Sequence, residues 1–137
     1  NPDWLVVAEA RSKEMADVLN SVMTGHPIIT TLHALDVESM PMRMTRMVMM
    51  GNKKAEYSDI YKDIAYNLRF YVYLKRKILP NGNVVRFISE ISYLGENGMT
   101  SIYKKDKEEK YWGFTKEIEH FLDLEGCSEM FKERFLK

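Results

Sequence analysis

The sequence predicts an α/β fold that opens on a strand–helix–strand unit, continues into an antiparallel hairpin and ends in a helical tail. Three observations predict it. Residues 3–33 place a helical repeat between two short apolar runs, the hydrophobic period changes to two near residue 70, and helical spacing returns after the charged run 104–110.

Trp4-Leu5-Val6-Val7-Ala8 is a continuous apolar run that ends at Glu9, the pattern of a buried central strand in a parallel sheet. Met15, Val18, Leu19, Val22 and Met23 then recur at helical spacing, with Ser12 as the expected cap and Gly25 where a left-handed residue ends the helix. Pro27 to Leu32 makes a second short strand. Parallel strands need a crossover, and a helix joining two strands within about thirty residues is the βαβ unit.

A second helix is expected from Ser39 to Met50, closed by Gly51-Asn52, with Pro41 tolerable only in its first turn. A third is expected over 58–68, with Ser58 as cap and Ile60, Ile64, Ala65 and Leu68 facing inward. Phe70, Val72 and Leu74 alternate with Tyr71 and Tyr73, Pro80-Asn81-Gly82-Asn83 marks a turn, and Val85, Phe87 and Ile91 resume the alternation. A further short strand is expected near Thr100–Tyr103. The run Lys104–Lys110 reads as a solvated loop, and helical patterns follow near Thr115–Leu122 and Ser128–Phe135.

The 137 residues are 45% hydrophobic and 12% aromatic, enough for one core-bearing domain. Twenty basic and twenty acidic residues cancel, so no global field holds nucleic acid or an anionic membrane, and no direct nucleic-acid partner is expected. The apolar runs fall short of a membrane span, residues 1–25 carry no signal pattern, and the chain reads as cytosolic. Its single Cys127 has no partner for an internal disulfide and reads as a small buried side chain. A chain that opens Asn-Pro-Asp-Trp, without an initiator Met, is expected to be cut from a longer one.

In open parallel sheets, ligands collect at the carboxyl ends of the strands. One such end carries Glu9 and Arg11; the other carries Thr30, Thr31 and His33, beside Gly25-His26. An acid, a guanidinium, hydroxyls and an imidazole suit a polyphosphate and its metal ion. Glu9 would polarise a water, and Arg11 and His33 would counter the charge that grows on phosphoryl transfer. The plainer alternative is a structural ion pair of Glu9 and Arg11 with His33 capping a loop.

Met40, Met42, Met44, Met47, Met49 and Met50 invite a Cu(I) reading, but Met40, Met44 and Met47 sit at helical spacing, which favours packing or a subunit-facing stripe. His26, His33 and Asp36 match no common zinc spacing. Lys75-Arg76-Lys77 is a small basic patch on the hairpin, read as a solvated strand end.

Asn1-Pro2-Asp3-Trp4-Leu5-Val6-Val7-Ala8-Glu9-Ala10-Arg11, followed by Thr24-Gly25-His26 and Thr30-Thr31-Leu32-His33-Ala34, resembles the secretion ATPase superfamily of type II and type IV secretion, type IV and tight-adherence pili and conjugation. The family pattern is Pro-Asp, an apolar strand, Gly-Glu-x-Arg, a helix, Thr-Gly-His and Thr-Leu-His. Arg43 and Met47 also fall where the family's next helix carries an Arg-Leu pair and a Met. The match is close over residues 1–50 and looser over the hairpin. The segment from Gly25 to Thr31 is similar in length to the type II and pilus branch, whereas Thr-Thr-Leu-His-Ala and the Arg43 helix look closer to tight adherence and conjugation.

The resemblance implies a fold that is the C-terminal part of a RecA-like P-loop NTPase core, over residues 1–104, with residues 105–137 as a charged loop and helical tail packed on it. It implies that Glu9 is the Walker B glutamate, near a Mg²⁺ held through water with no direct protein ligand, and that His33 is the His-box residue beside the phosphates. Gly25 and His26 would open that box, while Arg11, Thr31 and Arg43 would make phosphate or subunit contacts. For the parent it implies ATP and Mg²⁺, a hexameric ring, inner-membrane secretion or pilus platform proteins, and a cytoplasmic place at the inner face of a bacterial membrane, reached through those partners.

One departure is Ala8, where the family usually has Gly. The larger one is that residues 1–137 hold no Gly-x-x-x-x-Gly-Lys-Ser/Thr, the loop that cradles phosphates. The chain alone is therefore expected to have no bound cofactor and no turnover. The rival expectation is a non-enzymatic interaction domain that keeps the fold of an ATPase half.

Overall fold

Two parallel strands and their crossover helix open the chain in the computed structural model, which describes residues 4–12 and 14–134. β1 (Leu5–Val7) runs beside β2 (Ile28–Thr30), with Val6 opposite Ile29 and Val7 opposite Thr30. The α/β architecture read from the sequence is present. The crossover is α1 (Glu14–Met23), which buries Met15, Val18 and Leu19 and leaves Met23 half exposed. Gly25 follows in the left-handed region, at φ +90°.

Two expectations for this segment are corrected. Ser12 caps through its carbonyl, which accepts the Met15 N–H at 3.2 Å, while its hydroxyl donates to the Met50 sulfur at 3.9 Å. Glu14 holds the turn, accepting the Arg11 N–H on its carboxylate at 3.2 Å. The strand at Trp4–Ala8 is also not buried, for Trp4 is 60% and Val6 66% exposed. Among the described residues its sheet has two strands, so each is paired there along one side.

The chain divides into two compact units, Asn1–Arg69 and Phe70–Lys137. In the first, α2 (Ser39–Gly51) and α3 (Tyr57–Asn67) pack against each other and against α1. Met40, Met44, Met47 and Val48 are buried, so the methionine stripe builds the core, while Met42 and Met50 stay exposed. Asp36 and Ser39 bond reciprocally ahead of α2: the Ser39 N–H donates to Asp36 Oδ1 at 2.8 Å and the Asp36 N–H to Ser39 Oγ at 3.3 Å. Ser58, expected to cap α3, lies inside that helix, which starts after an extended Glu56. Of the positions expected to face inward, Ile64 is buried and Ile60, Ala65 and Leu68 are half-buried.

The second unit is an antiparallel sheet of β3 (Phe70–Ile78), β4 (Val84–Gly95), β5 (Gly98–Lys105) and β6 (Glu109–Tyr111), in that order. Pro80–Asn83 turns the hairpin, with Gly82 at φ +84° and the Leu79 N–H donating to the Asn83 carbonyl at 2.8 Å. The charged run 104–110 is only partly a loop: Lys104 pairs with Lys110 and Lys105 with Glu109 across β5 and β6, because one face of an edge ladder tolerates charge. α4 (Lys116–Leu124) is capped by the Thr115 hydroxyl and α5 (Glu129–Glu133) by that of Ser128. Phe135, the expected end of the last helix, lies outside the described residues, as do Asn1, Pro2, Asp3 and Lys13.

Tyr93, Ile102, Ile118 and Leu122 are buried together, with Ile91, Phe114, Phe121 and the half-buried Cys127 packed around them. The Tyr93 ring meets Phe70 edge-on at 5.3 Å and lies 5.8 Å from Phe121. Lys132 is buried between the carboxylates of Asp123 and Glu129, which raise its pKa well above the usual lysine range. Among the described residues no helix is long and apolar enough to cross a membrane.

Candidate functional site

The parallel register that sets Val7 opposite Thr30 brings the two strand ends level, so the residues after each strand leave side by side. Three hydrogen bonds hold them there. The Thr30 hydroxyl donates to the Val7 carbonyl at 3.1 Å, the Glu9 N–H to Thr31 Oγ1 at 3.0 Å, and the Ala10 N–H to the Thr31 carbonyl at 3.0 Å. Glu9 itself sits at φ +56°, a left-handed conformation that disfavours any residue with a Cβ. Such strain persists where neighbours enforce it and concentrates at functional sites. Ala8, at the position where the resemblance expects Gly, has no positive φ, so its backbone accepts a methyl group.

The turn aims the Glu9 carboxylate at two cationic or polarisable groups. Its Oε1 accepts from Arg11 Nε at 2.9 Å and from the Arg11 terminal nitrogen at 2.6 Å, and His33 Nε2 lies 3.1 Å from the same oxygen. The Arg11 guanidinium holds the Glu9 carboxyl below the usual glutamate range; partial burial opposes this and His33 adds to it. His33 Nε2 must carry its hydrogen to make this contact, whichever form the ring takes. The Arg11 and His33 side chains are 73% and 85% exposed, against 36% for Glu9, so the group is an open surface and not an enclosed pocket.

The other expected site residues are placed differently. His26, half-buried, shares a 3.2 Å hydrogen bond between its Nδ1 and the Thr24 hydroxyl, and Gly25 shapes the turn before β2. Arg43 is exposed on α2 and, among the described residues, makes no hydrogen bond or ion pair with the Glu9 group. Asp36, weighed with His26 and His33 as a metal ligand, bonds Ser39 instead. The residue roles least visible in the sequence are those of Thr30 and Thr31. Both hydroxyls serve the backbone, and only the facing of two strand ends, which a sequence pattern does not register, reveals it.

The model of the family described as "Type II/IV secretion system protein" matches residues 1–104. The chain belongs to that family. An uncharacterized protein of Bacillus anthracis is 29% identical over 113 residues, covering 77% of this chain and 25% of that protein. An uncharacterized protein of Methanocaldococcus jannaschii is 40% identical over 43 residues, 31% of this chain and 8% of that protein. Among solved structures, the VirB11 ATPase from the Brucella suis type IV secretion system, in complex with sulphate, superposes with a TM-score of 0.60 at 27% identity, covering 68% of this chain and 28% of that one. The matches thus cover less than a third of the length of each of these proteins.

Proposed function

We propose that residues 1–137 supply the Glu9, Arg11 and His33 side of the ATP site of a secretion motor, and that the phosphate loop comes from chain outside these residues. The observation that carries this is one carboxylate oxygen held by a guanidinium and an imidazole on a strained turn, at the carboxyl ends of two parallel strands. Family membership and the fold shared with part of the VirB11 ATPase support it. So does the exposed apolar surface of Trp4, Val6 and Ile29, which further strands and helices of a larger core would cover.

In this reading Glu9 orients the water that attacks the terminal phosphate. Its lowered pKa keeps it ionised, and therefore a hydrogen-bond acceptor, at neutral pH. Arg11 and His33 would offset charge on the phosphoryl oxygens. Thr31 fixes the direction of the turn by holding the Glu9 N–H. With Glu9 Oε1 taken by Arg11 and His33, the donor set fits a Mg²⁺ held through water at Glu9, where the ion would neutralise phosphate charge. The assembled motor is a hexamer that couples this hydrolysis to secretion, pilus assembly or conjugative transfer, at the cytoplasmic face of the membrane.

Two experiments test the reading. Calorimetry of the 137-residue chain with Mg-ATP should show no site of millimolar or tighter affinity, and a micromolar site would overturn the division of the pocket. In the full-length protein, His33→Ala should lower kcat by about 10²–10³-fold with ATP affinity nearly unchanged. Unchanged kcat would remove His33 from the site.

A further inference from the structure

The outer half of the β3–β4 hairpin has no part in the site above and carries an unusual surface. Residues 70–89 contain Lys75, Arg76, Lys77 and Arg86 and no Asp or Glu, although the whole chain is neutral. Successive residues of a strand point to opposite faces, so the register assigns each side chain to a face. On one face Leu74 stands opposite Ile88, Arg76 opposite Arg86 and Ile78 opposite Val84; on the other, Lys75 stands opposite Phe87 and Lys77 opposite Val85.

Both faces are open. Leu74 is 66%, Ile78 65% and Val85 41% exposed, and all four cationic residues are exposed. Two arginines directly opposite one another repel, and among the described residues neither forms an ion pair. An anion placed between them removes that cost. A protein partner docked on one face would leave the aliphatic residues of the other in water, and duplex DNA offers its phosphates to the cations but nothing to the aliphatic groups. An anionic bilayer surface meets both needs, taking aliphatic groups from both faces among its acyl chains while Lys and Arg extend to the headgroups.

We propose that the outer end of the β3–β4 hairpin docks on an anionic lipid bilayer. Arg76 and Arg86 hold acidic headgroups, and Leu74, Ile78, Val84 and Val85 enter the interface. This is independent of the ATP-site reading and needs neither nucleotide nor the rest of the motor.

The test is co-sedimentation of the 137-residue chain with phosphatidylcholine vesicles that do or do not contain phosphatidylglycerol. Binding to the anionic vesicles is expected to be at least about 25-fold tighter than to neutral ones. Arg76→Gln with Arg86→Gln should weaken it by about 25-fold, from about fivefold for each cation near the surface. Ile78→Ser with Val84→Ser should weaken it by about tenfold, since partial insertion of each aliphatic side chain adds to the affinity. All four positions are exposed, so circular dichroism should show an unchanged fold. Equal binding to neutral vesicles, no binding to anionic ones, or full binding by the Ile78→Ser, Val84→Ser variant would each overturn the proposal. So would tighter capture of duplex DNA that depends on Arg76 and Arg86 but not on Ile78 and Val84.

Discussion

The two units of this chain use their strands in opposite ways. In Phe70–Lys137 the antiparallel sheet and α4 bury Tyr93, Ile102, Ile118 and Leu122 together, so apolar surface is spent on cohesion. In Asn1–Arg69 three helices make the core, while the parallel strands leave Trp4, Val6 and Ile29 half or more exposed and carry a strained, charged turn at their ends. The difference separates a unit closed around its own core from one that leaves apolar strand surface and a strained, charged turn open. It predicts that substitutions in the second unit act on folding and those at the strand ends act on charge and function.

The largest effect should fall on the second unit. Ile118 is fully buried, and Ile118→Ala should destabilise it by about 2–5 kcal/mol in denaturant unfolding. A loss below about 1 kcal/mol would mean that this core is looser than its contacts suggest. Next comes the α4 cap: Thr115→Ala removes the hydroxyl that accepts the Ile118 N–H and should cost about 1 kcal/mol, with Thr115→Ser restoring most of it.

In the first unit the sign reverses. Glu9→Gly removes a Cβ from a left-handed position and should raise the thermal midpoint of the chain while removing the charged group. A lowered midpoint would show that the Arg11 and His33 contacts outweigh the strain. The smallest effect is electrostatic. Glu9 has a lowered folded pKa, so its pairing stabilises fully above the unfolded value and is lost as pH falls through the folded one. Carboxyl NMR should place its midpoint below the usual glutamate range, and Arg11→Gln should move it back up; no movement would assign the shift to something other than Arg11.

How much of this was legible in the sequence follows from the range of the interactions. Helical spacing located Met15, Val18 and Leu19, and alternation located the hairpin, because those patterns depend on neighbours a few residues away. The apolar run Trp4–Ala8 does not bring burial with it, since such a run says what a strand prefers and not how many partners it has. The caps at Ser12 and Ser58 failed for a related reason: several polar residues stand near each helix start, and tertiary context chooses among them. At the site, residue types and order named Glu9, Arg11 and His33 as candidates. Their convergence on one oxygen, and the left-handed turn that aims it, depend on the pairing of strands more than twenty residues apart and had no local signal.

On the proposed reading, this turn presents a catalytic carboxylate and not a structural ion pair. Glu9→Gln in the full-length protein tests it most directly, because the amide keeps the shape of the side chain and removes its charge. ATP turnover should fall by at least about 10²-fold while Mg-ATP affinity stays within about twofold of the unaltered protein. Turnover retained at the original rate would leave Glu9, Arg11 and His33 as a structural cluster and contradict the claim.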